Sequence, residues 1–535
     1  MNNTDRNTIS LDTDMTFIGS GITTSFILLS FLKNLSASDD FNGRLKLTIV
    51  EKDAENFTGL AYGPRSGSSA LLITSLADFL PESLIRQEFI KWLSQNKETL
   101  ISELRADGGK LSENWTDTHK IDIQKNNWED IYIPRRFFGI FIKQKVNQTI
   151  ADFSSTCDFQ LKIIQDEAIG IDDNLDSFQV YFKNRTESLS TKKIILSVGI
   201  PPVKQLWSDD FLSGHEQAAC LVKDPYNPGL DDNLHTIATH VNKQAGLSNI
   251  LIIGSNASAM EMLYKLHDVP EITAKIGSVS VISPHGELPH SGQDKLMGQQ
   301  RFVPTHLLEL NKKYDLTAKD IYEATSRDLD EAEAMNLGTA ISEGPISKAF
   351  VNLLDRLSHE ELGVFACRYG NLIGKRQRRA GKHYNEVVER LNQDGRLKLI
   401  KGYYNNLEIS ADNQGLIFSY RSSKLRSIRE HEGLIDVVIS CVGSRTLIDQ
   451  PVSVLIDNLV QKGICKVNDS GIGFAVNDQQ QTATNFFVAG PLLAGNVLNG
   501  MPLWHLEHCG RIIKTGERLA GILAQQLIHS TANRL

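Results

Sequence analysis

The stretch Met15-Thr-Phe-Ile-Gly19-Ser-Gly21-Ile22-Thr23-Thr24 passes from a short apolar strand into a glycine pair and then into a helix predicted over Ser25 to Leu35. A second strand, Leu45 to Val50, follows and ends in Glu51 and Lys52. This is a βαβ opening. Gly19 permits the tight turn and Gly21 lets a pyrophosphate approach the backbone, while the helix start at Ile22 and Thr23 offers unpaired N–H groups and the positive dipole end. Glu51 can accept from ribose hydroxyls. The third glycine position is Thr24, and Glu51 lies 30 residues past Gly21 instead of the usual ~20, the polar stretch Ser36 to Arg44 supplying the extra length. Taken alone, the pattern fits an ordinary glycine-rich turn equally well.

The chain then repeats itself. Asn249-Ile-Leu-Ile-Ile-Gly254-Ser-Asn256-Ala257-Ser258-Ala259-Met-Glu261 is again strand, turn and helix, followed by a strand over Val279 to Ser283. Asn256 takes the second-glycine position, and Asn is the side chain that best tolerates a positive φ. Each fingerprint leads, after a long insertion, to strands of alternating character and a closing strand ending at glycine. The first set is Phe159 to Gly170, Phe178 to Phe182 and Lys193 to Gly199; the second is Leu397 to Ile409, Leu416 to Tyr420 and Asp436 to Gly443. Gly19 and Gly199 are 180 positions apart and Gly254 and Gly443 are 189 apart, which predicts two similar dinucleotide-binding units. Two nucleotides on one chain usually means a flavin and a nicotinamide. A late strand, Asn485-Phe-Phe-Val-Ala-Gly490-Pro491, and a helix from Pro502 to about His529 are expected to return to the first unit.

The 535 residues exceed a single small module, and 41% apolar with 22% charged residues is an ordinary globular composition. Lys plus Arg total 56 against 64 Asp plus Glu, a net charge of −8, so no global positive field recommends nucleic acid or anionic lipid as a partner. A small-molecule substrate is the expectation, and a homo-oligomer stays open. Six scattered cysteines without CxxC predict reduced thiols. The polar, acidic start and the absence of a long apolar run predict a cytoplasmic protein that does not enter a membrane.

With these motifs in place, the chain resembles the two-dinucleotide-binding-domain flavoproteins, especially the bacterial FAD-NAD(P)-binding proteins of the YdhS-like group. Gly59-Leu-Ala61-Tyr62-Gly63-Pro64 and Tyr132-Ile-Pro134-Arg135-Arg136-Phe-Phe-Gly139 look like that group's loop and helix start, and Gly443 and Ala489-Gly490-Pro491 fall in register. It is more distantly similar to class B and N-hydroxylating flavin monooxygenases. Gly254 to Glu261 follows their Gly-x-Gly-x-Ser-Ala-x-Glu with one change, and Leu72-Ile-Thr74-Ser75-Leu-Ala77-Asp78-Phe-Leu80 resembles the loop beside their isoalloxazine. Ala77 stands where that loop has lysine, against amino-acid hydroxylation. Ala70 to Thr74 and Ser283-Pro284-His285-Gly286 depart from the YdhS-like pattern, the latter lacking its Arg pair.

The resemblance implies an α/β fold of two Rossmann-like domains: FAD on 1–235 and 445–535, an NAD(P)-type domain on 236–444, and a helical insertion at about 303–395. It implies that FAD meets Gly19, Gly21, Ile22, Thr23, Glu51, Lys52, Tyr62, Thr74, Arg136, Gly199, Gly490, Pro491 and Trp504. NADH or NADPH meets Gly254, Asn256, Ala257, Ser258 and Gly443. A bound flavin accepts hydride and, once reduced, reacts with oxygen, so no catalytic side chain is singled out. The expected function is an FAD-dependent, NAD(P)H-using monooxygenase; the alternatives are a nucleotide-sensing scaffold with a degenerate second site and a flavin dehydrogenase or oxidase.

Three clusters carry competing readings. His505 and His508 could share a helical face as two metal ligands or form a structural pair, and no metal is expected. His505 or Trp504 could instead line the flavin pocket. Lys375-Arg376-Gln-Arg378-Arg379-Ala-Gly-Lys382 could hold a phosphate or carboxylate, or be a solvated helix start. Arg135 and Arg136 could hold phosphate or pair with acids such as Glu129 and Asp130.

Overall fold

The computed structural model describes residues 11–289 and 302–532, apart from positions 40, 42, 81, 336, 338, 379, 425 and 507. The opening stretch forms a six-stranded sheet ordered Gln481–Ala483, Phe486–Val488, Ile194–Leu196, Met15–Ile18, Leu45–Glu51, Phe159–Gln165. All neighbours are parallel except the first two. The inner strands Met15–Ile18, Ile194–Leu196 and Phe486–Val488 are buried along their whole length because both faces are covered. Phe17, Ile49, Ile195 and Phe487 bury one face in the same core as Phe26 and Phe31 of helix Ile22–Ser36 and Leu519 and Leu523 of helix Cys509–Ala532. Ile18, Val50, Leu196 and Val488 bury the other face in a core shared with Val180 and Leu189. Those two residues belong to a four-stranded sheet made by Leu11–Thr13, Leu189–Thr191, Phe178–Phe182 and Ala168–Asp173.

The second fingerprint builds a seven-stranded sheet ordered Ile428–Glu430, Leu416–Ser422, Leu397–Ile409, Ile276–Ser283, Ser248–Ile253, Val437–Ser440, Cys220–Val222. Strand Leu397–Ile409 runs parallel to Ile276–Ser283 along residues 397–401 and antiparallel to Leu416–Ser422 along 402–409. Cys220–Val222 pairs with Val437–Ile439, and helix Leu230–Lys243 runs unbroken through 235. The boundary expected at 235 therefore moves to before Cys220; a three-residue edge strand leaves no periodicity to read.

Helices from Thr305 to Gln393 fill the insertion between Ile276–Ser283 and Leu397–Ile409, with a core of Leu307, Ile321, Leu329, Phe350 and Phe365. Helix Ala318–Ala334 starts with a capping box, Thr317 and Asp320 each bonding the other's backbone N–H. Lys319, Glu323, Arg327, Asp330, Glu331 and Glu333 face outward, while Ile321, Ala324 and Leu329 turn inward together with the buried Asp328. No helix among the described residues is long and apolar enough to cross a membrane.

Candidate functional site

At the first turn Gly19 has φ +98°, and a Cβ there would lie 2.5 Å from the carbonyl oxygen of Ser197 on the closing strand. Only glycine fits. At the second turn Gly254 has φ +106°, and its Cβ would meet the carbonyl oxygen of Cys441 at 2.2 Å. The two units thus close their turns in the same way. The residues after the closing strands, Gly199 (φ +79°) and Gly443 (φ +84°), both face open space.

The second positions are less demanding. Gly21 has φ −75° and Asn256 has φ −86°, each as the N-cap of its helix. The left-handed conformation expected to explain Asn256 is not used; the turn puts it at Gly254 instead. A Cβ at Gly21 would stand an ordinary 3.5 Å from the Cα of Gly59, so the fold itself does not demand glycine there. Thr24 serves at the third position because its hydroxyl is bonded twice, to Gly19 O and Ser197 Oγ at 2.7 Å each.

Glu51 accepts from the backbone N–H and hydroxyl of Ser20 at 2.7 and 3.0 Å and from Asp53 N at 3.0 Å, which holds its carboxylate at the strand end beside the turn. Lys52 is exposed next to it. Gly490 (φ +73°), followed by Pro491, approaches Thr23 so closely that a Cβ would meet the Thr23 hydroxyl at 2.7 Å. Gly19, Gly21, Ile22, Thr23, Glu51 and Gly490 therefore meet at one end of the first sheet. They fit an adenine dinucleotide: Gly21 has no side chain to cap the helix N–H groups, and Gly199 leaves the space above the turn open.

Other expected residues lie elsewhere. Tyr62 is buried among Phe79 and Phe138, ring centroids 5.8 and 5.2 Å away, with its hydroxyl beside the Cys509 thiol. Arg136 pairs with Glu55, donating to Oε2 at 2.8 Å, and Lys143 lies 3.5 Å from the same carboxylate. Burial works against the charge of Glu55, but these cations outweigh it and hold its pKa low. Arg135 pairs with Glu261, and Glu129 is taken by Arg86 at 3.3 Å. Arg135 and Arg136 thus pair with Glu261 and Glu55, acids distant in sequence, while Glu129 is held by Arg86. Thr74 is half-buried in the loop before helix Leu76–Phe79, and Asp78 of that helix lies beside His508.

Trp504 joins the core of the helical insertion: Gly370 presses on one side, leaving no room for a Cβ, and the Arg511 guanidinium lies 4.0 Å from its ring centroid. The helix expected from Pro502 starts at Cys509, because Met501–Leu503 pairs as a hairpin with Asn496–Leu498. His505 and His508 consequently lie in a loop and share no helical face. His505 is bonded to Arg511 at 3.1 Å, and burial with that neighbouring charge pushes its pKa down to about 4. Glu507 and Arg379 lie outside the described residues. Asn256 and Ala257 are exposed at the second turn, Ser258 is half-buried, and Arg378 donates to Asn256 Oδ1 at 2.7 Å.

Sequence reading missed one cluster. His306, Asp328 and Glu331 bring ligand-type atoms within 4.8 Å of one another. Asp328, however, is committed to the N–H groups of His306 and Leu307, at 3.0 Å each.

Residues 16–201 match the family model described as FAD-NAD(P)-binding. An uncharacterised protein of Mycobacterium tuberculosis is 28% identical over 96% of both chains. The reduced ornithine hydroxylase PvdA of Pseudomonas aeruginosa aligns over 97% of this chain and 100% of its own, with a TM-score of 0.53 at 13% identity. The ornithine N-hydroxylase KtzI of Kutzneria sp. 744, with reduced FAD, NADP+ and L-ornithine, aligns over 95% and 99%, with a TM-score of 0.50 at 14% identity. Residues 16–201 are thus similar to the FAD-NAD(P)-binding family, and the chain as a whole has a fold similar to that of these ornithine hydroxylases.

Proposed function

We propose that this protein is an FAD-dependent oxidoreductase that takes hydride from NADH or NADPH, and that it acts as a monooxygenase on a small molecule. The observation that carries the reading is the equivalence of the two turns, Gly19 and Gly254 with φ of +98° and +106° against the carbonyls of Ser197 and Cys441. On this reading FAD lies on the unit formed by the chain before Cys220 and from 445 onward, against Gly19, Gly21, Ile22, Thr23, Glu51, Gly490 and Pro491. The nicotinamide dinucleotide lies on the second unit at Gly254, Asn256, Ala257 and Ser258.

The protein's own part is to orient and to exclude water. The loop carrying Thr74 and Asp78, the His505–His508 segment and the helical insertion behind Trp504 are the groups available for that task. All six cysteines are free, and burial pushes the Cys220 and Cys465 thiols up to about 11 and 12, which disfavours electron transfer to a protein disulfide. Ala77 separates the substrate from those of the amino-acid hydroxylases. Asn256 in place of glycine does not by itself make the second turn degenerate, since its φ of −86° strains nothing; the missing Arg pair after Ser283 stays as the feature favouring a sensor.

The test is anaerobic mixing of the yellow protein with NADH or NADPH, followed by mixing with oxygen in stopped flow. Bleaching and then a spectral transient before reoxidation supports the monooxygenase reading. Bleaching followed by direct reoxidation, with a range of soft nucleophiles present, moves the assignment to a dehydrogenase or oxidase. A protein that takes up no FAD overturns the reading altogether.

A further inference from the structure

The basic run from Lys375 to Lys382 divides by partner. Arg376 is held by Asp330 and Glu333 at 2.7 and 3.0 Å, and Lys382 lies 3.6 Å from Glu386 one helical turn on. These two serve the helical insertion. Arg378 instead reaches across to the second unit and donates from Nη1 to Asn256 Oδ1 at 2.7 Å.

Asn256 is where that bond has consequence. It is the N-cap of helix Ala257–Asp268, yet its side chain makes no capping bond, so the first-turn N–H groups of a twelve-residue helix are not consumed by it. At the equivalent place in the first unit Gly21 has no side chain, and its nearest neighbour there is the Cα of Gly59. One turn is bounded by glycine backbone; the other carries an amide that holds a guanidinium. A guanidinium presents five N–H donors in a rigid fork, and the bond to Asn256 uses one while fixing the direction of the others. The strand end that would meet an adenosine 2′-phosphate is occupied differently: Ser283 Oγ accepts from Gly286 N at 3.0 Å.

We propose that Arg378 is a phosphate ligand of the second dinucleotide turn, meeting the pyrophosphate, and that Asn256 is the residue positioning its guanidinium. The inference rests on the reading that this unit takes NADH or NADPH. A pyrophosphate is common to both nucleotides, so Arg378 contributes affinity without selecting between them. Asn256 is then the replacement for glycine that brings a cation to a turn otherwise furnished only with N–H groups and a helix dipole.

The test is calorimetric titration of the FAD-loaded protein with NAD+ and, separately, with NADP+. Arg378→Ala weakens both by about 10- to 100-fold, the usual range for a lost charge-assisted hydrogen bond. Arg378→Lys keeps part of the affinity, and Asn256→Ala weakens both nucleotides by a smaller factor. Flavin content and thermal midpoint stay at the wild-type values, because both side chains lie outside the core. A loss confined to NADP+ would show that Arg378 reads the 2′-phosphate and overturn the proposal, as would unchanged affinity for both. Wild-type protein that binds neither nucleotide overturns the two-nucleotide reading itself, a result distinct from an Arg378 variant that binds as well as wild type.

Discussion

Arg135 of the first unit donates through Nη2 to Glu261 Oε1 of the second at 2.6 Å, with the Tyr226 ring centroid 5.6 Å from the guanidinium. Burial raises the Glu261 pKa and Arg135 opposes that rise, while for Arg135 the carboxylate outweighs burial. Removing one partner leaves the other charged in a dry interface. Glu261→Ala is expected to cost about 3–5 kcal/mol, whereas an apolar pair, Arg135→Met with Glu261→Leu, recovers most of it. Denaturant unfolding of the single and double variants measures both.

The glycines of the first turn differ in what they need, so their variants separate folding from cofactor binding. Gly21→Ala has an ordinary φ and 3.5 Å of clearance, so the chain folds but loses close backbone approach and is isolated with little flavin absorbance. Gly19→Ala collides with Ser197 at a φ of +98° and destabilises the whole unit by about 2 kcal/mol or more. Visible spectra together with thermal melts distinguish the two.

How far the sequence discloses this arrangement follows from the range of each interaction. Gly19, Gly254 and the closing glycines are legible because strand, turn and helix constrain a few adjacent residues. Thr24 and Asn256 looked like departures and are accommodated by local geometry. The partners of Arg135 and Arg136, by contrast, are Glu261 and Glu55, brought near only by the packing of helices distant in sequence. Trp504 and His505 depend on where the last helix begins, which the hairpin Asn496–Leu498 and Met501–Leu503 decides by non-local pairing. The reach of Arg378 to Asn256 joins the insertion to the second turn and carries no sequence signature.

His383 sits among Tyr132, Tyr264 and Tyr384, with Nε2 buried and without a partner among the described residues, and burial pushes its pKa down to about 3. The unfolded chain protonates this imidazole near pH 6.5 while the folded chain does not, so between pH 6.5 and about 3 the unfolded state binds more protons. Stability therefore falls as the pH is lowered through that window, and His505, at about 4, acts in the same direction. The contribution of His383 between pH 7 and 4 is on the order of 3 kcal/mol. Melting temperatures measured against pH for wild type and His383→Phe test it: the acid limb should be flatter in the variant.

Thiol chemistry offers an independent check on the reaction class. Cys220, Cys441, Cys465 and Cys509 are buried with raised pKa values, and Cys157 and Cys367 are half-buried. At neutral pH a soluble disulfide reagent should modify the native protein at no more than Cys157 and Cys367. NAD(P)H consumption should survive the modification. Loss of turnover tracking the labelling of a single cysteine would instead point to a redox-active thiol.

A second buried contact joins the units through Asp268, whose side chain accepts from Lys265 Nζ at 2.7 Å, Leu111 N at 2.9 Å, and Ser112 N and Oγ at 3.1 Å each. Lys265 also donates to Ser69 Oγ, so a lysine and an aspartate of the second unit are both bonded to the first. Tyr384 adds a bond from its hydroxyl to Leu71 O at 3.0 Å. Burial raises the Asp268 pKa less than Lys265 and the Ser112 bonds lower it, so the carboxylate stays ionised and Lys265 remains compensated. With Glu261 and Asp268 in place the units should unfold together, because separating them strips Arg135 and Glu261 of each other and the buried Asp268 of its Leu111 and Ser112 donors. Calorimetric scanning is expected to give one transition for wild type. Asp268→Ala combined with Glu261→Ala removes the Arg135–Glu261 ion pair and the Asp268 hydrogen bonds to Leu111 and Ser112, and should split it into two. A single transition persisting in the double variant would show that the apolar core shared by the units, with the bonds from Tyr384 and Lys265, is enough to couple them.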